Sequence, residues 1–288
     1  MHRLLARPRL LGLICAAGAV GLGIAYLVMA GAPARYTIIN MVAFAVGTVL
    51  WLALRVRTPL RWSGFAMVVL AALLLATAVG GRALDGVTRW VMIGPLSMQT
   101  SFVVLPAIIV LYARKADLTG TAGILMAAAA LAAQPDRAMA AMLATGAAVV
   151  AASKPGKLNV MALVGSAIAF VVTLFRPDTL PAQPFVERVL NTAFDVHVLA
   201  GIAVLLGCLL LVTPAWPAIW RPSERTVLLA FGASWAAAIT AAAAGNYPTP
   251  VVGYGGAAIL GYLLSVALLP DRAMRRAPAQ GATAWSSG

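Results

Sequence analysis

Read only for apolar and polar positions, the chain is a series of long apolar stretches separated by short polar ones. Ten apolar segments stand out, at about 10–30, 37–54, 63–80, 99–113, 119–134, 138–153, 158–175, 186–213, 226–244 and 250–269. A helix crossing the hydrocarbon layer needs about 20 apolar residues, so the pattern predicts about ten transmembrane helices. Several segments are short and rich in Ala and Gly, as suits helices packed among other helices, because small residues let backbones approach closely. The expected fold class is therefore all-α, a polytopic membrane bundle. One ten-helix transmembrane domain is expected over 1–276, followed by a polar, disordered C-terminal tail over 277–288.

Composition sharpens this picture. Of 288 residues, 62% are apolar and 10% are charged, whereas a soluble domain carries about 25% charged residues. A cytosolic enzyme, a disordered chain and a secreted disulfide scaffold are excluded. Cys15 and Cys208 both fall inside apolar segments, with no metal-ligand spacing and no paired framework. Ala32-Pro33-Ala34 resembles a small-residue cleavage site. The apolar run before it, Leu10 to Met29, is longer than the apolar core of a leader, about 7–15 residues. A retained first helix is expected.

The net charge of +13 predicts orientation, not nucleic-acid binding, because the charges form small groups between apolar stretches without a contiguous basic face. With the N-terminus placed in the cytoplasm, fifteen of the 21 Lys and Arg fall on the cytoplasmic side, among them Arg3, Arg7, Arg9, Arg114, Lys154 and Arg221. Arg35, Arg82, Arg89, Arg137, Arg176 and Arg188 fall outside. That bias matches the positive-inside rule and places both termini in the cytoplasm. The acids lean the other way: Asp85, Asp136, Asp178, Glu187 and Asp195 belong to outer loops or outer helix halves. Carboxylate chemistry is therefore expected at the outer face.

Three stretches carry a resemblance. The first is Asp85-Gly86-Val87-Thr88-Arg89-Trp90 with Ile93-Gly94-Pro95 and Gln99-Thr100-Ser101. The second is Gln134-Pro135-Asp136, and the third runs from Pro250 through Gly253-Tyr254-Gly255-Gly256 to Ala257. Together, in this order in a ten-segment chain, they resemble the SEDS family (shape, elongation, division and sporulation proteins, typified by FtsW and RodA). The chain departs from the family pattern at Phe102, Arg137-Ala138-Met139, Gly253 and Ala257. Typical members also carry a long outer loop between the seventh and eighth helices that leads into a motif with a catalytic Asp. Here the connection is short, 176–185; Leu180-Pro181 survives, and Glu187 is the nearest acid.

The resemblance implies a membrane protein of peptidoglycan synthesis, cell division or cell shape in the bacterial cytoplasmic membrane. Its implied partners are membrane lipids, the undecaprenyl-linked peptidoglycan precursor and a class B penicillin-binding protein, with no nucleic acid. If the chain is an enzyme, it is a glycosyltransferase that polymerises the precursor, with room for a divalent cation. Glu187 is the candidate catalytic base, or simply a polar helix start whose charge complements the dipole. Arg89, Trp90, Gln99, Gln134, Asp136 and Tyr254 are candidate substrate-binding residues. For them the alternatives are an interfacial anchor at Arg89-Trp90, a solvated Asp136–Arg137 pair and helix packing around Tyr254. Asp195 and His197, two and three turns into the eighth segment, are expected as polar intramembrane residues lining a cavity or bonding a neighbouring helix. Convergence of Glu187, Asp136 and Arg89 on one outward-opening cavity is the arrangement an active enzyme predicts, and side chains pointing to separate lipid-facing surfaces would exclude it. The alternatives are a non-catalytic scaffold of a penicillin-binding protein, or a lipid or solute transporter using Asp195 and His197.

Overall fold

The computed structural model describes residues 7–54, 60–84, 87–94, 96–176 and 181–270. Asp85, Gly86, Pro95, Asp178, Leu180 and the tail 277–288 lie outside the described residues. In chain order the helices are α1 (Pro8–Met29), α2 (Ala34–Leu54), α3 (Ser63–Gly80), α4 (Thr100–Arg114), α5 (Leu118–Ala133) and α6 (Arg137–Ser153). They continue with α7 (Lys157–Leu174), α8 (Val189–Val196), α9 (Val198–Val212), α10 (Arg225–Ala244) and α11 (Gly256–Ala267). Among the described residues six helical stretches are long and apolar enough to cross a membrane, and four shorter apolar helices, α4, α5, α6 and α11, bring the count to ten. The fold is that of a polytopic membrane protein.

Long and short helices divide the work. The long α2 exposes Ile38, Met41, Val42, Val46, Val49 and Leu52, the surface a lipid-facing helix presents. The short α4 is the reverse: from Val104 to Ala113 every residue is buried. Small residues set the spacing between the inner helices. On α5, Gly123 sits against the backbone of Met67 and Val68 on α3, and Gly261 on α11 sits directly on the Phe102 carbonyl of α4.

Two departures from the expected pattern concern the helices. The eighth segment is not one rod: α8 ends and α9 begins at His197, whose backbone is extended and whose Nδ1 accepts from Leu199 N at 3.1 Å. The stretch Val198–Ile219 is by itself long enough to span, and Asp195 and His197, both exposed, lie just before it. The tenth helix starts at Gly256, not near 250. Residues 250–255 are apolar but contain Pro250, Gly253 and Gly255, and they form an irregular buried turn with Val251 in the left-handed region (φ 68°).

The third departure is a small sheet inside an otherwise helical chain. Strands β1 (Arg82–Leu84), β2 (Val87–Ile93) and β3 (Leu96–Gln99) form an antiparallel sheet in that order, with Trp90 opposite Gln99. Alternation along β2 sends Val87 and Arg89 inward. This sheet marks one end of the bundle, called the sheet end below. Among the described residues it gathers Arg35, Arg89, Arg137, Arg176 and Arg188. The opposite end gathers Arg7, Arg9, Arg61, Arg114, Lys115, Lys154, Lys157, Arg221 and Arg225.

At the opposite end Asp117 caps α5, accepting from Gly120 N at 2.8 Å and pairing with Lys115 at 2.8 Å. The bond to Lys115, more than the Gly120 amide, holds this carboxyl below the usual carboxylate range. A depressed folded-state value means that the cap's contribution is complete above the ordinary carboxylate range and fades as pH falls through the depressed value. Asp117→Ala is expected to cost about 1 kcal/mol at neutral pH. Thermal unfolding should show the wild-type advantage shrinking in acid.

Candidate functional site

Two polar arrangements meet at the sheet end. The first is a buried network around Asp136, which is 1% exposed. Asp136 caps α6 through Oδ1, which accepts from Met139 N at 3.3 Å. Its Oδ2 accepts from Ser101 Oγ at 2.8 Å and from Gln99 Nε2 at 3.0 Å, and Gln99 Nε2 also donates to Ser101 Oγ at 3.1 Å. Gln134 donates to Leu74 O at 2.7 Å, and Arg89 donates through Nη2 to Pro135 O. Of the two readings of Asp136, the solvated pair with Arg137 does not form among the described residues. Instead Arg137 turns to the carbonyls of Thr173, Leu174 and Arg176 at the end of α7.

Asp136 thus ties the β3–α4 junction to the α5–α6 turn. Asp136→Asn keeps one acceptor but turns an amide donor toward two donors. The expected cost is about 1–3 kcal/mol, read as a lower unfolding temperature in detergent.

The second arrangement is a cavity of about 290 Å³ beside this network. Trp90 and Gln99 line it from the sheet, Glu187 from the 181–188 connection, and Tyr254 from the turn before α11. Alternation along β2 separates Arg89 from Trp90: Trp90 faces the cavity, whereas Arg89, Gln134 and Asp136 do not line it. Of the three side chains expected to converge, only Glu187 reaches the cavity, and Asp136 connects to it through Gln99. Asp195 and His197 are not in its lining.

Backbone hydrogen bonds close the walls. Thr249 N donates to Val186 O at 2.8 Å, Tyr254 N donates to Phe185 O at 2.7 Å, and Glu187 bridges Pro248 in antiparallel fashion. Glu187 is half-buried, and its Oε2 accepts from Gln183 N at 3.0 Å. Phe185 (φ 65°) and Arg188 (φ 57°), on either side of Glu187, and Val251 (φ 68°) occupy the left-handed region. Such backbone is costly for residues with a side chain and clusters at functional sites.

Other contributors escaped the sequence reading. Asn40 on α2, fully buried, donates from Nδ2 to Gly253 O at 2.9 Å and accepts at Oδ1 from Gly255 N at 3.2 Å. It clamps the glycine-rich wall. A lone Asn inside an apolar segment was a readable signal, since polar groups in spans usually have a partner. Tyr36 stacks on Tyr254 with centroids 4.0 Å apart and meets Phe185 edge-on at 6.1 Å, while Arg35 lies 5.4 Å from the Tyr36 ring centre. Nothing in the sequence singled out Tyr36 or Phe185.

Among the described residues no three His, Cys, Asp or Glu side chains gather. A hard divalent cation takes oxygen ligands, carboxylates foremost. Glu187 is the single described carboxylate lining the cavity, so the described residues do not by themselves compose such a site.

No family model matches the sequence, and no curated protein matches it. Solved structures do. Rod shape determining protein RodA of Thermus thermophilus is similar over 89% of this chain and 94% of its own, with 20% identity and a TM-score of 0.61. A mutant form of that protein gives 21% identity and 0.60 over the same shares. A chain from a peptidoglycan synthase complex, solved to explain how polymerization and crosslinking are coordinated, gives 19% identity and 0.57, covering 89% of this chain and 95% of that one. With nearly the whole of each chain superposed, this protein has the polytopic membrane fold of RodA.

Proposed function

We propose that the chain is a SEDS-type protein of the bacterial cytoplasmic membrane. In this reading it binds undecaprenyl-linked peptidoglycan precursor at the Glu187 cavity and polymerises glycan strands beside a class B penicillin-binding protein. The sheet end faces outward and both termini lie in the cytoplasm, as the charge distribution favours. The observation that carries the proposal is the cavity itself, where one carboxylate faces an indole, a phenol and an amide. The fold shared with RodA and with a chain of a peptidoglycan synthase complex supports it.

The chemistry asked of the site is a displacement with inversion. A sugar hydroxyl of one precursor attacks the anomeric carbon of another, and the lipid pyrophosphate leaves. Glu187 takes the hydroxyl proton in the transition state. Trp90 and Tyr254 offer aromatic faces to the sugars. Gln99, held by Asp136 and Ser101, presents a preorganised amide.

The test is polymerisation of lipid-linked precursor by the purified chain, with and without a penicillin-binding protein. Polymer in either case supports the enzyme. No polymer in both, with the penicillin-binding protein still captured, overturns it in favour of a scaffold. The short 176–185 connection is the feature that favours that second reading. Asp195 and His197, exposed at a helix break, do not line the Glu187 cavity.

A further inference from the structure

A second, larger groove lies between α6, α7 and α10, with a volume of about 860 Å³. Its walls are mostly methyl groups: Ala141 and Ala144 on α6, Ala237 and Ala241 on α10, with Phe170 on α7. Small side chains leave open between the helices the room that larger ones fill. The trough runs along membrane-crossing helices, so hydrocarbon and not water is its natural filling.

The groove has a direction. Among the described residues its single charged lining residue is Arg137, at the sheet end, where Asn246 and Tyr247 also line it. None of the described carboxylates lines it. Arg137 uses Nε and Nη2 on the carbonyls that end α7, at 3.2–3.5 Å, and Nη1 takes no part in these bonds. Asp136, its neighbour in sequence, is engaged by Gln99 and Ser101. A guanidinium fixed at the head of an apolar trough matches a phosphate carried on a hydrocarbon chain.

We propose that this groove holds one anionic phospholipid of the leaflet at the sheet end, with its phosphate on Arg137 and an acyl chain in the alanine trough. The groove and the Glu187 cavity share no lining residue. Asn246 and Tyr247 line the first, and the next two residues, Pro248 and Thr249, line the second. A lipid seated here presents its phosphate to Arg137 and not to Glu187, which makes it a bound membrane lipid and not the lipid-linked substrate. The inference is therefore independent of the polymerase reading.

Native mass spectrometry of the full chain, released from micelles containing equal amounts of phosphatidylglycerol and phosphatidylethanolamine, reads the outcome. The wild type is expected to retain phosphatidylglycerol preferentially. Arg137→Gln is expected to lower that retention about tenfold, the scale of a lost charge-assisted contact. Ala237→Phe, which fills the trough, is expected to displace both lipids. Thermal unfolding of each variant in lipid-free detergent identifies any loss of fold, and the wild-type competition stands without either variant. Equal retention of the two phospholipids by the wild type overturns the proposal, as does undiminished retention by folded Arg137→Gln. So does preference for a polyprenyl phosphate over phosphatidylglycerol in direct competition.

Discussion

Gly261→Ala is expected to destabilise the protein by about 3 kcal/mol or more, the upper range for forced overpacking. The added Cβ would stand 1.8 Å from the Phe102 carbonyl oxygen, 2.9 Å from its carbonyl carbon and 3.1 Å from Val103 Cα. All three are backbone atoms of α4, so no side-chain rotation relieves the clash, and α11 has to move off the most buried helix of the bundle. The tenth segment also supplies the Tyr254–Ala258 wall of the cavity, so the displacement deforms the site as well. Gly21→Ala is the matched control. Nothing lies within 4 Å of its added Cβ, and a helical Gly→Ala change in open space stabilises by about 0.5–1 kcal/mol. Unfolding temperatures in one detergent should move in opposite directions for the two variants. Equal shifts would show that α4 and α11 do not touch as described.

Glu187→Gln is expected to lower the rate of precursor polymerisation by roughly 10²–10⁴-fold, the usual contribution of a general base. The replacement has nearly the same volume and keeps an oxygen to accept from Gln183 N, so stability should change by no more than about 0.5 kcal/mol. The variant separates the structural use of Glu187 from its chemical one. Asp195→Asn, at the exposed break between α8 and α9, should polymerise at the wild-type rate. A Glu187→Gln protein of undiminished rate would remove the assignment of the base while leaving the fold untouched.

Much of the bundle was legible in the sequence because lipid imposes a simple code: a buried or lipid-facing helix is apolar for most of its length. Segments such as 63–80 and 138–153 were recovered to within a residue. The code fails where apolar residues are not helical. Residues 250–255 read as span because Val251 and Val252 are buried, yet a buried turn is as apolar as a buried helix, and its backbone is satisfied by Asn40 and Phe185 from distant parts of the chain. The break at His197 was hidden for a similar reason, since apolar residues continue on both sides of it.

The site was half legible. Motif positions led to Trp90, Gln99, Glu187 and Tyr254, which line one cavity. The same motifs treated Arg89 and Trp90 as a unit, whereas a strand turns neighbours to opposite faces. Asp136 and Arg137 were paired by adjacency, but a helix N-terminus claimed the acid and a helix C-terminus claimed the base. Tyr36 entered only through three-dimensional contact, which no local pattern records.

Arg9, at the start of α1, donates through Nε to Leu269 O, and Arg114 donates to Leu268 O at 3.1 Å. The first and last helices are thereby latched at one end of the bundle. The polypeptide runs almost in a closed loop, with its described ends adjoining. Joined there by a short linker, it could be reopened elsewhere, and Gly156, exposed between α6 and α7 with nothing within 4 Å of an added Cβ, is a natural place for new termini. A circularly permuted chain cut there keeps every helix whole.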